Sequence, residues 1–202
     1  IYQVPIILDE QGVTKMLSER FGFELPVRRK LLEDWKKMAD HVDSLDQAEE
    51  VHIAVAGKYT DLADSYLSVI KALQHASFKV NRKLVIDWIE SSDLDEEAKK
   101  SDPESHDSAW SVLRSADGIL VPGGFGIRGI EGKIKAAEYA RTNKVPYLGV
   151  CLGLQVATIE FCRNVLGLKS ANSTEFEEDT PNPAIVFMPE ISKTHMGLSL
   201  IH

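Results

Sequence analysis

Cysteine is scarce in this chain. Cys151 and Cys162 are the only two among 202 residues, and no second thiol pair exists from which to build a disulfide framework. A reducing compartment is the natural expectation. Long apolar runs are also missing: none approaches the ~20 residues of a membrane-spanning helix. The opening I-Y-Q-V-P-I-I-L has no Met, no basic leader and no small-residue cleavage site. Cytoplasmic residence without membrane association is expected, in a chain cut from something longer. Positive charge is short as well, with 23 Lys and Arg against 31 Asp and Glu, a net charge of −8. Arg28 to Lys30 is the sole basic cluster, which disfavours nucleic acid as a partner, because neutralising phosphates takes concentrated Lys and Arg. No His, Cys, Asp or Glu grouping has metal-ligand spacing, so no metal is expected. Internal repeats and low-complexity tracts are absent.

What remains is ample material for a folded core, with 44% hydrophobic and 27% charged residues. Residues 1–50 read as a linker followed by one amphipathic helix carrying Leu31, Leu32, Trp35, Met38 and Val42 on one face. At Val51 the texture changes to V-H-I-A-V-A-G, a β-branched run closed by Gly57, and the main domain, 51–202, begins there. From here strands and helices alternate. A helix is predicted over Asp61 to Phe78 and a strand over Leu84 to Ile89. A polar loop follows from Asp93 to Ser105, then a short helix at Ala109 to Leu113. Strands are predicted at Gly118 to Val121 and Pro146 to Val150, each followed by a helix, Gly132 to Thr142 and Leu152 to Leu166. That rhythm predicts an α/β fold, a three-layer, doubly wound, mostly parallel sheet. Ligands of such sheets sit beyond the carboxyl ends of the strands, so the loops after Val121 and Val150 are where chemistry belongs.

The first loop, P-G-G-F-G-I-R-G from Pro122 to Gly129, holds four glycines in eight positions. Such a backbone can turn its N–H groups toward an anion or oxyanion. It is neither a Walker loop nor a dinucleotide fingerprint, and by itself it is equally a tight turn that needs glycine. The second loop is sharper. G-V-C-L-G, Gly149 to Gly153, places Cys151 between small residues at a strand-to-helix turn, the nucleophile-elbow pattern with Cys in place of Ser. The N-terminus of the helix that follows favours negative charge beside it and offers N–H groups to an oxyanion. Cys162, beside Phe161 in mid-helix, reads as packing.

These loops, together with N-S-T-E-F at Asn172 to Phe176, V-A-G-K-Y-T and D-S-Y-L-S-V-I-K-A-L within Val55 to Leu73, and the leading I-Y-Q-V-P, resemble the class I glutamine amidotransferase domain of the CTP synthase family. The likeness runs from Ile1 to about Gly197. It implies that Cys151 attacks the carboxamide of L-glutamine to form a γ-glutamyl thioester with release of ammonia. It implies that Gly124 and Leu152 supply the oxyanion N–H groups, and that Gly153, Gln155 and Glu175 help hold glutamine, Glu175 through the α-ammonium group. On their own, Gln155 reads as solvated and Glu175 as the start of an acidic surface run. By the same resemblance, an amino-terminal synthase domain of the same polypeptide uses ATP and Mg²⁺ to aminate UTP in a homotetrameric ligase. This domain itself needs no cofactor.

The family pairs its nucleophile with a His and a Glu two residues apart, as H-P-E, and no H-P-E occurs here. Met188 to Glu190 is M-P-E, with Met in the His position; His195 and His202 are the remaining histidines after Cys151, and neither fits the pattern. His41, His52, His75 and His106 read as ordinary core or surface residues. Either the chain lacks its distal portion, which the intact Cys151 and glycines favour, or it is a catalytically silent glutamine-binding module. A cysteine hydrolase of the same elbow architecture with another substrate is the third alternative.

Overall fold

The computed structural model describes residues 1–23, 29–58 and 63–186. The chain divides into two compact units, Ile1–Val51 with Ile70–Leu84, and His52–Val69 with Val85–His202. In the first unit α1 (Val4–Glu10) carries a proline in its first turn, where the lost N–H has no intrahelical partner anyway. Gly12 (φ 71) separates it from α2 (Val13–Phe21), which Gly22 (φ 66) closes. The stretch expected as linker is therefore largely helical. Its apolar residues Ile6, Ile7 and Leu8 are consecutive rather than spaced at 3.6, and helices this short leave no period to detect. The amphipathic helix is α3 (Arg29–Ser44). Its anticipated face is only partly covered, for Leu31 and Trp35 are exposed. Trp35 donates its indole N–H to the Tyr2 carbonyl at 2.8 Å, and the Tyr2 ring stands edge-on to Phe78 of α4 (Leu67–Val80), with centroids 5.5 Å apart.

The second unit carries the sheet. β1 (Glu50–Gly57), β2 (Lys83–Glu90), β3 (Gly118–Val121) and β4 (Tyr147–Gly149) lie in the order β2-β1-β3-β4. Parallel pairing sets Ala54 opposite Ile119 and Val55 opposite Leu120, then Val121 opposite Gly149. Ala54, Ala56, Ile119 and Val121 share one core with Ile130 and Ile134 of α7 (Ile130–Asn143) and with Leu152, Val156 and Ile159 of α8 (Leu152–Asn164). The parallel α/β sheet is as the strand–helix rhythm predicts. Strand order reverses between β1 and β3, so their carboxyl ends flank the crevice at which such folds bind ligands. Among the described residues no helix is long and apolar enough to cross a membrane.

Two local expectations are corrected. The polar stretch 93–105 is not a loop: a 3₁₀ turn (Ser91–Leu94) leads to α5 (Ala98–Ser101), and α6 (Pro103–Ser115) begins well before Ala109. Asp102 caps α6, its carboxylate accepting the Ser105 N–H at 3.1 Å, with Pro103 at the first helical position. A capped polar helix shows little apolar period, which is why its start is hidden. Further on, β5 (Ala171–Ser173) and β6 (Asn182–Ile185) form a separate two-stranded parallel sheet that no sequence pattern announces. The helix predicted from Asp61 begins, among the described residues, with a 3₁₀ turn (Ala63–Tyr66) ahead of α4.

One buried charge ties the two helices behind the elbow together. Glu160 of α8, 2% exposed, receives Arg141 Nε at 2.9 Å and Nη2 at 2.7 Å, and Asn164 at 3.1 Å. Burial alone would raise its carboxyl pKa; the Arg141 and Asn164 hydrogen bonds more than offset this and hold it below the usual value. Its contribution to stability is therefore present above the unfolded carboxylate pKa and lost as pH falls through the folded one. In Arg141→Met burial is left without its main opponent, so the sign inverts. We expect a loss of about 3 kcal/mol at neutral pH, shrinking as pH falls through the carboxylate range. Urea unfolding of both proteins at neutral and mildly acidic pH measures this, and a pH-independent gap would refute it.

Candidate active site

Cys151 is the hinge between β4 and α8, and its backbone shows what the turn demands. It sits at φ 52, ψ −105, a conformation that a side-chain-bearing residue adopts only under strain. Val150 N–H donates to the Val121 carbonyl (3.0 Å), continuing the β3–β4 pairing to the brink of the turn. Gly153, Leu154 and Gln155 then donate to the carbonyls of Val150 and Cys151 at 2.9 to 3.1 Å, which starts α8 at once. Leu152 is the first helical residue, whose N–H precedes the intrahelical ladder.

Glycine is obligatory on both sides. A Cβ on Gly153 would run into the Val121 carbonyl oxygen, and one on Gly149 into the Gly153 carbonyl group. Half-buried Tyr147 completes the packing by donating its hydroxyl to the Gly153 carbonyl at 2.8 Å; burial pushes its phenol pKa well up, so it remains a donor at any ordinary pH. Cys151 is exposed at the turn, while Cys162 lies half-buried in α8.

The glycine-rich loop is the second wall. A Cβ on Gly123 would stand 3.4 Å from Cys151 Cβ, and one on Gly124 3.8 Å from Leu152 Cδ2. Gly124 and Leu152, the expected oxyanion pair, are thus neighbours. Gln155 lies in the first turn of α8, half-buried. Glu175 follows β5, half-buried, its N–H bonded to Ser173 Oγ at 3.1 Å. It bears on the glycine-rich loop electrostatically through Lys58, whose charge it favours. Cys151, Leu152, Gly153, Gln155 and Gly124 therefore form one cluster. Glu175 belongs to its surroundings.

Lys58 itself went unrecognised in the sequence beyond its place in V-A-G-K-Y-T. It closes β1, is 8% exposed, and donates to the carbonyls of Phe125 (2.9 Å) and Gly126 (3.1 Å). Lys133 of α7 is also missed: it is 1% exposed, and burial, followed by repulsion from Lys58, brings its pKa to about 8, against the pull of Glu90. A lysine inside an amphipathic helix looks like a solvated residue, and no sequence signal marks it otherwise. The described histidines bond elsewhere: His41 to the Phe78 carbonyl, His52 to Asp87, His75 to Tyr2 and His106 to Asp107. Met188, Glu190, His195 and His202 lie outside the described residues.

The family model for class-I glutamine amidotransferases matches residues 61–196, the stretch that carries this strained cysteine and the glycine loop beside it. The chain belongs to that family. This amidotransferase chain is 50% identical over 200 residues to human CTP synthase 1 and 51% identical to mouse CTP synthase 2, in each case across 98% of itself and 33% of the relative. Candida glabrata CTP synthase is 50% identical over 209 residues, 98% of this chain and 36% of that one. The amidotransferase thus spans about a third of the length of these relatives. Among solved structures it resembles the Trypanosoma brucei CTPS glutaminase domain with bound acivicin, with a TM-score of 0.63 and 39% identity over 73% of this chain and 54% of the other.

Proposed function

We propose that this amidotransferase is the glutaminase domain of a CTP synthase, hydrolysing L-glutamine so that its amide nitrogen becomes available as ammonia. The observation that carries this reading is Cys151 at φ 52 against the Gly123–Gly124 loop. In the proposed step Cys151 Sγ, as thiolate, attacks the side-chain carboxamide carbon, and the resulting oxyanion is received by the N–H groups of Gly124 and Leu152. The C–N bond breaks and ammonia leaves with a proton, which the family resemblance assigns to a downstream histidine. Water then cleaves the thioester to glutamate and free thiol. Gly153 keeps the turn tight, Gln155 borders the substrate, and Glu175 takes the α-ammonium group.

The larger reaction follows the relatives' name. Ammonia would pass to an amino-terminal synthase domain that aminates UTP to CTP with ATP and Mg²⁺, in a homotetramer resident in the cytosol. None of this chain's residues is assigned to those nucleotides or to the metal. The test is direct. Full-length protein is expected to release ammonia from glutamine and to form CTP from UTP only when ATP is present. Mass spectrometry after treatment with 6-diazo-5-oxo-norleucine should place the adduct on Cys151. Ammonia release with no labelling of Cys151 would reject the assigned nucleophile, and labelling without CTP formation would reject the synthase.

A further inference from the structure

We propose that Lys58 is a positioning residue for the oxyanion loop: its ammonium group, brought in from the carboxyl end of β1, holds the Phe125 and Gly126 carbonyls so that Gly124 keeps its N–H facing the carboxamide oxygen that becomes the oxyanion. This rests on the glutaminase reading of Cys151 and adds a part to it.

The loop from Pro122 to Gly129 needs such a restraint. Four glycines leave its backbone soft. Its beginning is fixed by β3 and by the packing of Gly123 against Cys151. Its end is fixed at Gly129, φ 69, where a Cβ would strike Ser91 Oγ. Between these points Phe125 is 62% and Ile127 70% exposed, so neither side chain anchors the loop, while Arg128 reaches Glu90 at 3.6 Å near its end. The stretch at Phe125 and Gly126 is held from β1. Lys58 Nζ donates to two successive carbonyls at 2.9 and 3.1 Å, which sets the planes of the two peptide groups that follow Phe125 and Gly126.

The clamp is itself rigid. Tyr66 Oη accepts the Lys58 N–H at 3.0 Å and donates to the Lys58 carbonyl at 2.6 Å, while the Tyr66 ring packs on Trp88 at 5.4 Å between centroids. A Cβ on Gly57 would collide with that hydroxyl, so the strand end cannot shift to relax it. Burying an ammonium group is costly unless hydrogen bonds compensate, and here burial and Arg128 oppose the charge while Glu90 and Glu175 favour it. Strand order places this lysine at the reversal between β1 and β3, the one position from which a β1 residue reaches the loop after β3. Glu175, assigned to the substrate ammonium group, acts on the same lysine. Oxyanion loop and substrate pocket are thereby joined through one side chain.

The test separates loop positioning from general support of the fold. Full-length wild type and Lys58→Met are compared for glutamine hydrolysis and for alkylation of Cys151 by iodoacetamide, a direct displacement at carbon that forms no oxyanion. We expect kcat for glutamine to fall about 100-fold with KM little changed, and the iodoacetamide rate to stay at the wild-type value. Unchanged kcat overturns the proposal. So does a parallel fall of both rates, which would mark a merely structural lysine. Should Lys58→Met fail to fold, Lys58→Arg carries the same comparison, since its planar fork cannot reproduce both bonds. Absence of glutamine hydrolysis in the wild type would be a different result, rejecting the glutaminase reading itself.

Discussion

Cys151→Ala is expected to abolish glutamine-dependent ammonia release, by at least about 10⁴-fold, while CTP formation from added ammonia persists in the full-length protein. No other group at the elbow can form the thioester. Oxyanion donors and substrate contacts alone leave only a small residual rate over water. Cys151→Ser tests the chemistry rather than the space, because a serine hydroxyl ionises far less readily than a thiol. It is expected to be nearly as inactive. Cys151→Gly adds a structural readout. The wild-type residue is held at φ 52, a backbone state that costs a non-glycine residue of order 1 kcal/mol or more. The glycine variant should therefore be inactive and yet more resistant to denaturation by about 1 kcal/mol. Normal glutamine turnover in Cys151→Ala would refute the assignment, and a glycine variant of lowered stability would show that the turn is not strained.

Gly153→Val is expected to be severely disruptive. The hydrogen of Gly153 faces the Val121 carbonyl oxygen, and that oxygen already accepts the Val150 N–H that joins β4 to β3. A side chain there must push α8 off the sheet or break the last pairing before the nucleophile. Leu152 and Val156, both buried in the main core, would move with the helix. Overpacking at a backbone contact costs more than the usual 1 to 3 kcal/mol of an oversized core residue, so loss of at least about 3 kcal/mol is expected. Soluble yield and denaturation midpoint read the result. Leu154→Ala, one residue on and 63% exposed, is the control, expected to change stability by no more than about 0.5 kcal/mol. Equal behaviour of the two variants would mean that the elbow tolerates a wider gap between α8 and β3.

The two variants also divide what local pattern can express from what it cannot. G-V-C-L-G between an apolar strand and an amphipathic helix names the nucleophile, because the close approach at that turn demands small residues on both sides, and a five-residue motif can carry that demand. The strands Gly118–Val121 and Tyr147–Gly149 were legible for a related reason: the first is buried throughout and reads as a short apolar run, and the second, although Leu148 is exposed, is bracketed by Pro146 and Gly149. Elements without an apolar period were not legible. The helices at 4–10 and 13–21 and the capped start of α6 belong to this group, as does the two-stranded sheet of β5 and β6, whose pairing depends on a partner distant in sequence.

For the site the division follows range. The chemistry of Cys151, the soft glycine loop and the absence of membrane-length runs or basic surfaces are properties of contiguous residues, and the sequence by itself determined them. Tertiary structure decided which strands are neighbours, and so which loops face each other. It set the β1–β3 reversal that brings Lys58 to the Phe125 and Gly126 carbonyls across 67 and 68 positions of chain. It also buried Lys133 and Glu160, which in sequence look like any charged residue on a helix surface. A side chain's charge is written in its own residue, but the solvent it loses and the carbonyl it meets belong to the neighbours that the fold supplies.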